Sequence, residues 1–218
     1  MCAFGVLWDI YARLLAAYGP QGWWPGDTPF EVAVGAILTQ ATSWRNAARA
    51  ISNLKRAGVL SPEAMSALSP ERLAELVRPA GFFNQKAARL RAFFDLIERH
   101  GGLEALFRLP EGKLREELLS VPGIGPETAD SIVLYAAGKP VFVIDTYTRR
   151  ILSRLGLITG KEGYEELRRL FEGNLPREPG LYQEYHALLV RHAKEHCRAR
   201  PRCGGCPLAD LCDFAQTK

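Results

Sequence analysis

Four of the five cysteines fall close together near the C-terminal end, in the order Cys197-x5-Cys203-x2-Cys206-x5-Cys212. Thiolates at such spacing can close on a tetrahedral zinc ion or on an iron–sulfur cubane, and spacing alone leaves both open. In a cytosolic chain, clustering of this kind favours a metal site over disulfides. Cys2 stands outside the pattern and is expected to be an unliganded thiol. A second feature is one acid, Asp145, set between the apolar run Val141-Phe142-Val143-Ile144 and Thr146-Tyr147-Thr148-Arg149-Arg150. At a helix start its carboxylate would accept the N–H of Tyr147 or Thr148. A cap fixes the carboxylate's direction and the helix dipole helps keep it ionised, so a structural role and a chemical one can coexist.

A third feature is the string Leu118-Leu119-Ser120-Val121-Pro122-Gly123-Ile124-Gly125-Pro126-Glu127-Thr128-Ala129. Gly123 and Gly125, one residue apart, let the backbone turn tightly and approach another surface. A helix starting at Pro126, with Thr128 in its first turn, would aim its free N–H groups at an anion. Leu119, Val121 and Ile124 would pin the hairpin to the core. A tight turn without a ligand is the plainer reading of a lone Gly-x-Gly. The whole string between two helices favours a grip on DNA phosphates, which positions a protein without reading sequence.

The elements that must hold these groups read as helices nearly throughout. Leu7, Ile10, Tyr11, Leu14, Leu15 and Tyr18 recur at helical spacing and stop at Gly19-Pro20. Thr28-Pro29-Phe30-Glu31 is a capped helix start, and Ser61-Pro62 and Ser69-Pro70 repeat the signal. Ala87, Leu90, Phe93, Phe94 and Ile97 line a longer helix that ends at Gly101-Gly102. Further helices are expected over 110–119, 126–137, 147–155, 163–170 and 181–197. Residues 140–144 are apolar and β-branched but short, so buried extended chain is expected there. The fold class is all-α.

Bulk properties exclude little. Hydrophobic content of 47% and charged content of 24% suit an ordinary globular chain. No stretch approaches the roughly 20 apolar residues of a membrane span. No basic segment precedes an apolar run at the start, so a cytoplasmic location is the expected default. Net charge of +4 permits a polyanionic partner without demanding one. The stretch 194–202 is denser in cations, with Lys194, Arg198, Arg200 and Arg202.

The chain resembles the helix-hairpin-helix, endonuclease III-like DNA glycosylase superfamily. The resemblance runs over almost its whole length. It rests on Ala36-Ile37-Leu38-Thr39-Gln40-Ala41-Thr42, Gly81-Phe82-Phe83-Asn84-Gln85-Lys86-Ala87, the hairpin, Asp145 and the cysteines. It implies binding to double-stranded DNA that holds a damaged base, and a two-lobed fold with a C-terminal iron–sulfur loop, and a monomer is the default expectation. Residues 22–136 would form the lobe with the hairpin, and 1–21 plus 137–218 the lobe with a [4Fe–4S] cluster loop at 197–212. The pocket is expected between the lobes, with Asp145 at its mouth. Asp145 matches the acid that stabilises positive charge developing on the sugar and orients or deprotonates water. The four cysteines match cluster ligands, although the first spacing is one residue shorter than in endonuclease III. Arg198, Arg200 and Arg202 would then face phosphates.

Bifunctional members carry a lysine in the hairpin helix that attacks C1′ and cleaves the strand by β-elimination. Glu127 occupies that position in this chain, and a carboxylate cannot form an imine. Base release without strand cleavage is therefore expected. Lys86, Lys113 and Lys139 exist, but nothing in the sequence places their amines in a pocket. Glu127-Thr128-Ala129-Asp130, Trp23-Trp24-Pro25 and Gln40-Ala41-Thr42-Ser43-Trp44 resemble the 3-methyladenine glycosylase III branch. That resemblance implies an alkylated purine stacked between Trp24 and Trp44, with Trp23 as partner if the register shifts by one. Gln40 and Phe82 match the residues that fill the space left by a flipped base. Rival readings are an endonuclease III-like enzyme for uracil, mismatched thymine or another lesion, with lyase activity, and a non-catalytic DNA-binding iron–sulfur protein.

Overall fold

The structure, a computed structural model, describes residues 3–217, so Cys2 lies outside the described residues. Every regular element among the described residues is helical. No described helix is long and apolar enough to cross a membrane. The chain divides into two compact units: Met1–Trp23 with Pro140–Lys218, and Trp24–Lys139.

The first unit opens with α1 (Ala3–Tyr18), which buries Leu7, Ile10 and Leu14 at helical spacing. The second unit follows. Its α2 (Pro29–Leu38) starts where the Thr28 hydroxyl accepts the Glu31 N–H at 3.1 Å. The Glu31 carboxylate reaches back to the N–H of Asp27 at 3.1 Å and meets Lys55 Nζ at 2.7 Å, so this buried acid is fully engaged. Then come α3 (Trp44–Arg56), α4 (Pro62–Ser66) and α5 (Pro70–Val77). Ser61 and Ser69 cap α4 and α5 through their hydroxyls, as their sequence signals require. A 3-10 turn (Arg78–Ala80) leads into α6 (Phe83–Arg99), α7 (Leu103–Arg108), α8 (Glu111–Leu119) and α9 (Pro126–Ser131). Helix α2 is buried from Phe30 to Leu38 and packs against α3, α6 and α9, so it is the core of this unit.

One continuous helix over 126–137 is what the sequence suggests. The structure instead turns from α9 into a wider π-helical segment, Ile132–Ala136, where the Ala137 N–H reaches the Ile132 carbonyl at 3.0 Å. Such a segment re-aims side chains relative to an α-helix, here Tyr135 among them. Helices α3 and α7 lack the side-chain cap bonds that start α2, α4 and α5. Ser43 makes no side-chain cap bond, and α7 follows Gly102.

The first unit resumes with 140–144, which form no regular element, and Val141 to Ile144 are buried. Their backbone must find partners away from water. The Phe142 N–H donates to Glu172 at 2.9 Å and the Ile144 N–H to the Tyr164 hydroxyl at 3.3 Å. Helices α10 (Thr146–Arg154), α11 (Tyr164–Glu172), α12 (Pro179–Glu195) and α13 (Asp213–Gln216) complete this unit. Phe142 stacks on Phe171 at 3.9 Å, and α12 packs on both α1 and α10.

Helices α8 and α9, the two arms of the hairpin, are clamped by an ion pair. Arg115 donates to the fully buried Asp130 at 2.6 and 3.2 Å. Asp130→Ala would remove a fully buried carboxylate from the mostly buried guanidinium of Arg115. Its expected cost is about 3 kcal/mol, read as a lowered denaturation midpoint. An unchanged midpoint would show that the pair does not hold the hairpin arms.

Candidate active site and nucleic-acid interface

Asp145 is the N-cap of α10. Its Oδ1 accepts the Thr148 N–H at 2.7 Å and the Thr148 hydroxyl at 2.8 Å. Its Oδ2 lies 3.5 Å from Nε2 of His186 on α12. The residue is only 8% exposed. Burial pushes the carboxyl pKa up, but the His186 contact and the two Thr148 donors outweigh it and hold the acid below its ordinary value. His186 is itself buried, and its ring stacks on Trp23 at 5.7 Å. A nearly dry carboxylate is thus fixed from two helices and kept negative. That is what stabilising a developing cation requires.

The hairpin is pinned as expected by Val121 and Ile124, but Leu119 is only half-buried and Leu118 takes the buried place instead. Val121 and Ile124 are buried, while Pro122, Gly123, Gly125, Pro126 and Glu127 are exposed. Gly123 has φ +85°, and a Cβ there would lie 2.5 Å from Nε of Arg89. Both the conformation and the close approach require glycine. Nothing lies within 4 Å of a Cβ at Gly125, which leaves the backbone open to a ligand on that side. Gln40 Nε2 donates to the Gly123 carbonyl at 3.0 Å and to the Thr128 hydroxyl at 2.8 Å. Gln40 Oε1 accepts from Arg89 at 2.6 Å. The Thr128 side chain is therefore buried against Gln40, and what Thr128 can offer a phosphate is its backbone. Glu127 sits exposed in the first turn of α9.

Phe82 is 63% exposed and left-handed, with φ +45°. Ala41, beside Gln40, also has positive φ, at +50°. Strained non-glycine residues of this kind concentrate at functional sites. Lys86 is fully buried, and its Nζ donates to the Leu38 carbonyl at 2.9 Å and the Ala80 carbonyl at 2.7 Å. Burial, with the nearby charge of Arg89, lowers its pKa to about 8.

Trp24 and Trp44 meet in the second unit, but edge to face, with ring centroids 5.6 Å apart and planes at 89°. Tyr135, from the π-helical segment, lies 5.2 Å from Trp24. A Cβ at Gly35 would sit 3.3 Å from Trp24 Nε1 and 3.6 Å from Trp44 Cζ3, so glycine admits both indoles. The two rings touch and leave no slot between them, which differs from the parallel plates that the sequence suggests. Trp23 packs with His186 in the first unit instead.

The four C-terminal cysteines carry no disulfide and line one cavity together with Arg154 and His192. Among the described residues, no three or more His, Cys, Asp or Glu converge as a single-ion site. Arg154 donates to Cys197 Sγ at 3.3 Å, to the Arg198 carbonyl at 2.6 Å and to the Ala199 carbonyl at 3.1 Å. Arg150 donates to the Cys197 carbonyl at 2.8 Å. Arg198, Arg200 and Arg202 are exposed around this loop.

His186, Arg89 and Tyr135 escape a reading of the sequence. Each is a single residue on a helix whose partner lies far away in the chain, and none stands in a motif.

The family described as "HhH-GPD superfamily base excision DNA repair protein" matches residues 34–177. The chain is 47% identical over 212 residues to the "Putative DNA repair glycosylase" of Methanocaldococcus jannaschii, with 96% of each chain covered. It is 30% identical over 192 residues to endonuclease III of Haemophilus influenzae, covering 87% of this chain and 86% of that one. It superposes on the H. pylori 3-methyladenine DNA glycosylase bound to 1,N6-ethenoadenine with a TM-score of 0.77 at 30% identity, over 89% of this chain and 98% of that one.

The Asp145 geometry makes a direct prediction about ionisation. Its folded pKa lies below the unfolded value of about 3.9. Its contacts therefore add stability above that pH, and the gain is lost as pH falls through the folded value. A carboxyl ¹³C titration of Asp145 is expected to stay flat from pH 9 down to about pH 4. A midpoint above pH 5 would overturn this account of the site.

Proposed function

The chain belongs to the HhH-GPD superfamily of base excision DNA repair proteins and is a DNA glycosylase of that type, and on that premise we propose that it releases an alkylated purine such as 3-methyladenine and leaves the strand uncut. The observation that carries the reading is Asp145, buried yet held below the ordinary carboxylate pKa. Its charge would stabilise the sugar cation as the glycosidic bond breaks, and its fixed direction would orient the attacking water. An alkylated purine carries positive charge and leaves readily, so one carboxylate suffices without a general acid. The 30% identity to the H. pylori 3-methyladenine glycosylase supports this choice of base.

The disposition of Glu127, Lys86 and Lys113 supports the reading without lyase activity. Glu127 stands where a hairpin lysine would be needed. Lys86 is buried and bonded to two carbonyls, and Lys113 pairs with Glu116 and Glu117. The exposed hairpin would hold backbone phosphates through Gly123, Gly125 and the first turn of α9. Phe82 is the stronger candidate for entering the base stack. Gln40 would first have to give up its bonds to Gly123, Thr128 and Arg89.

Cys197, Cys203, Cys206 and Cys212 would hold a [4Fe–4S] cluster. A zinc ion needs its sulfurs about 2.3 Å from one point, whereas a four-iron cluster spreads them over a wider cage. The Arg154 bond to Cys197 Sγ suits an anionic sulfur. The cluster's contribution would be to hold the loop that presents Arg198, Arg200 and Arg202.

A second reading, uracil or mismatched thymine as the target, is favoured by the closed contact of Trp24 with Trp44. A smaller base asks less opening of that pair.

A panel of lesion duplexes separates these readings. Release of 3-methyladenine with no uracil or thymine release is expected, and the reverse pattern would replace the first reading with the second. Asp145→Asn should slow release by about 10²-fold or more. Borohydride should trap no enzyme–DNA adduct, and a trapped adduct would refute the uncut-strand reading. Iron and sulfide assays should find four of each per chain. One zinc and no sulfide would exclude the cluster.

A further inference from the structure

Lys86 is a fully buried lysine with no place in the proposed chemistry. Its position in the second unit gives it another. Leu38 is the last residue of α2, and Ala80 the last of the 3-10 turn before α6. Carbonyls at helix ends lack an intrahelical partner and carry the negative end of the dipole. Lys86 Nζ serves one such carbonyl from each element, at 2.9 and 2.7 Å. The two segments that emerge from these carbonyls are 39–42 and 81–83. They contain Gln40 and Phe82, and the two non-glycine residues with positive φ among the described residues, Ala41 and Phe82.

Arg89 extends the same arrangement one turn along α6. It donates to Gln40 Oε1 and packs against Gly123, while Gln40 donates to the Gly123 carbonyl and the Thr128 hydroxyl. A continuous set of bonded groups therefore runs from the hairpin through Gln40 and the end of α2 to Lys86, and on to the root of the Phe82 turn. We propose that Lys86 is a positioning residue that holds the Phe82 turn in register with the hairpin, so that a hairpin bound to phosphates delivers Phe82 into the base stack at a fixed offset. This rests on the reading of the hairpin as the DNA grip and Phe82 as the inserting side chain.

The buried ammonium suits this task better than a neutral side chain. Two carbonyls converging in a dry space need a donor with more than one N–H, and a charge there is favoured by both helix ends. A hydrophobic residue would leave both carbonyls unpaired and free to drift.

The test is a double-mutant cycle on Lys86→Met and Phe82→Ala. The readout is 2-aminopurine fluorescence in a duplex opposite an abasic-site analogue, which needs no base release. Undamaged-duplex affinity and circular dichroism are measured alongside. Lys86→Met should lower the unstacking signal about tenfold in equilibrium constant while affinity for undamaged duplex stays within about twofold. The double mutant should be no worse than Phe82→Ala alone, and Lys86→Gln, which keeps two donors, should recover part of the loss. Additive losses, or a Lys86→Met protein that unstacks the duplex like wild type, would overturn the proposal. Should Lys86→Met fail to fold, the same cycle run with Lys86→Gln decides it. If Phe82→Ala alone changes nothing, the inserting role falls, and with it the positioning role of Lys86. Failure of base release on every lesion would count against the proposed activity only.

Discussion

A carboxylate with almost no water around it keeps its charge only if neighbouring donors replace that water. Asp145 is in that position, and much of the first unit is arranged around it. The Thr148 N–H and hydroxyl come from the helix that Asp145 caps, so the helix start and the charged group stabilise each other. The third contact, His186, comes from α12 and is backed by Trp23. Helix α10 can neither slide nor rotate without disturbing the carboxylate, and α12 cannot retreat without leaving it under-compensated. The buried run 141–144 leads directly into the cap. Phe142, stacked on Phe171, anchors that run.

The second unit solves a different problem by related means. Its exposed working parts are short turns, the hairpin and the segments around Gln40 and Phe82. Turns have few apolar contacts of their own, so they need to be tied to something rigid. Two cations on α6 do this. Lys86 holds the ends of two elements, and Arg89 reaches Gln40 and fills the space beside Gly123. The ion pair of Arg115 with Asp130 fixes the arms of the hairpin in the same spirit. Polar groups at the ends of helices, rather than apolar packing alone, set the geometry of these turns.

What can be read in the sequence follows from the range of each interaction. The caps at Thr28, Ser61, Ser69 and Asp145 act over three residues, and each is legible. The hairpin is legible because its glycines, prolines and apolar pins are contiguous. The bond from Lys86 to Leu38 spans 48 residues, and that from Gln40 to Gly123 spans 83, so no local pattern can announce them. The contact of His186 with Asp145 is hidden for the same reason. Trp24 and Trp44 do come together as their motifs imply, but residue type and spacing do not encode the angle between two rings. That angle depends on Gly35 and on the π-helical turn that presents Tyr135.

The cysteine loop connects with the acid through the same two helices. Arg150 and Arg154, further along α10 from Asp145, hold the loop by the carbonyls of Cys197, Arg198 and Ala199. Helix α12, which brings His186 to Asp145, runs on toward Cys197. The loop thus bridges α10 and α12 beyond the point where they bring carboxylate and imidazole to 3.5 Å. A group that tightened the loop would restrain the approach of His186 to Asp145 without touching any reacting atom. One that let it loosen would raise the cost of keeping Asp145 charged, because the compensation for burial depends on that contact. The cysteines and the acid therefore form a single mechanical unit. Arg150 and Arg154 tie the cysteine loop to α10, and the acid draws on the polar contacts between α10 and α12.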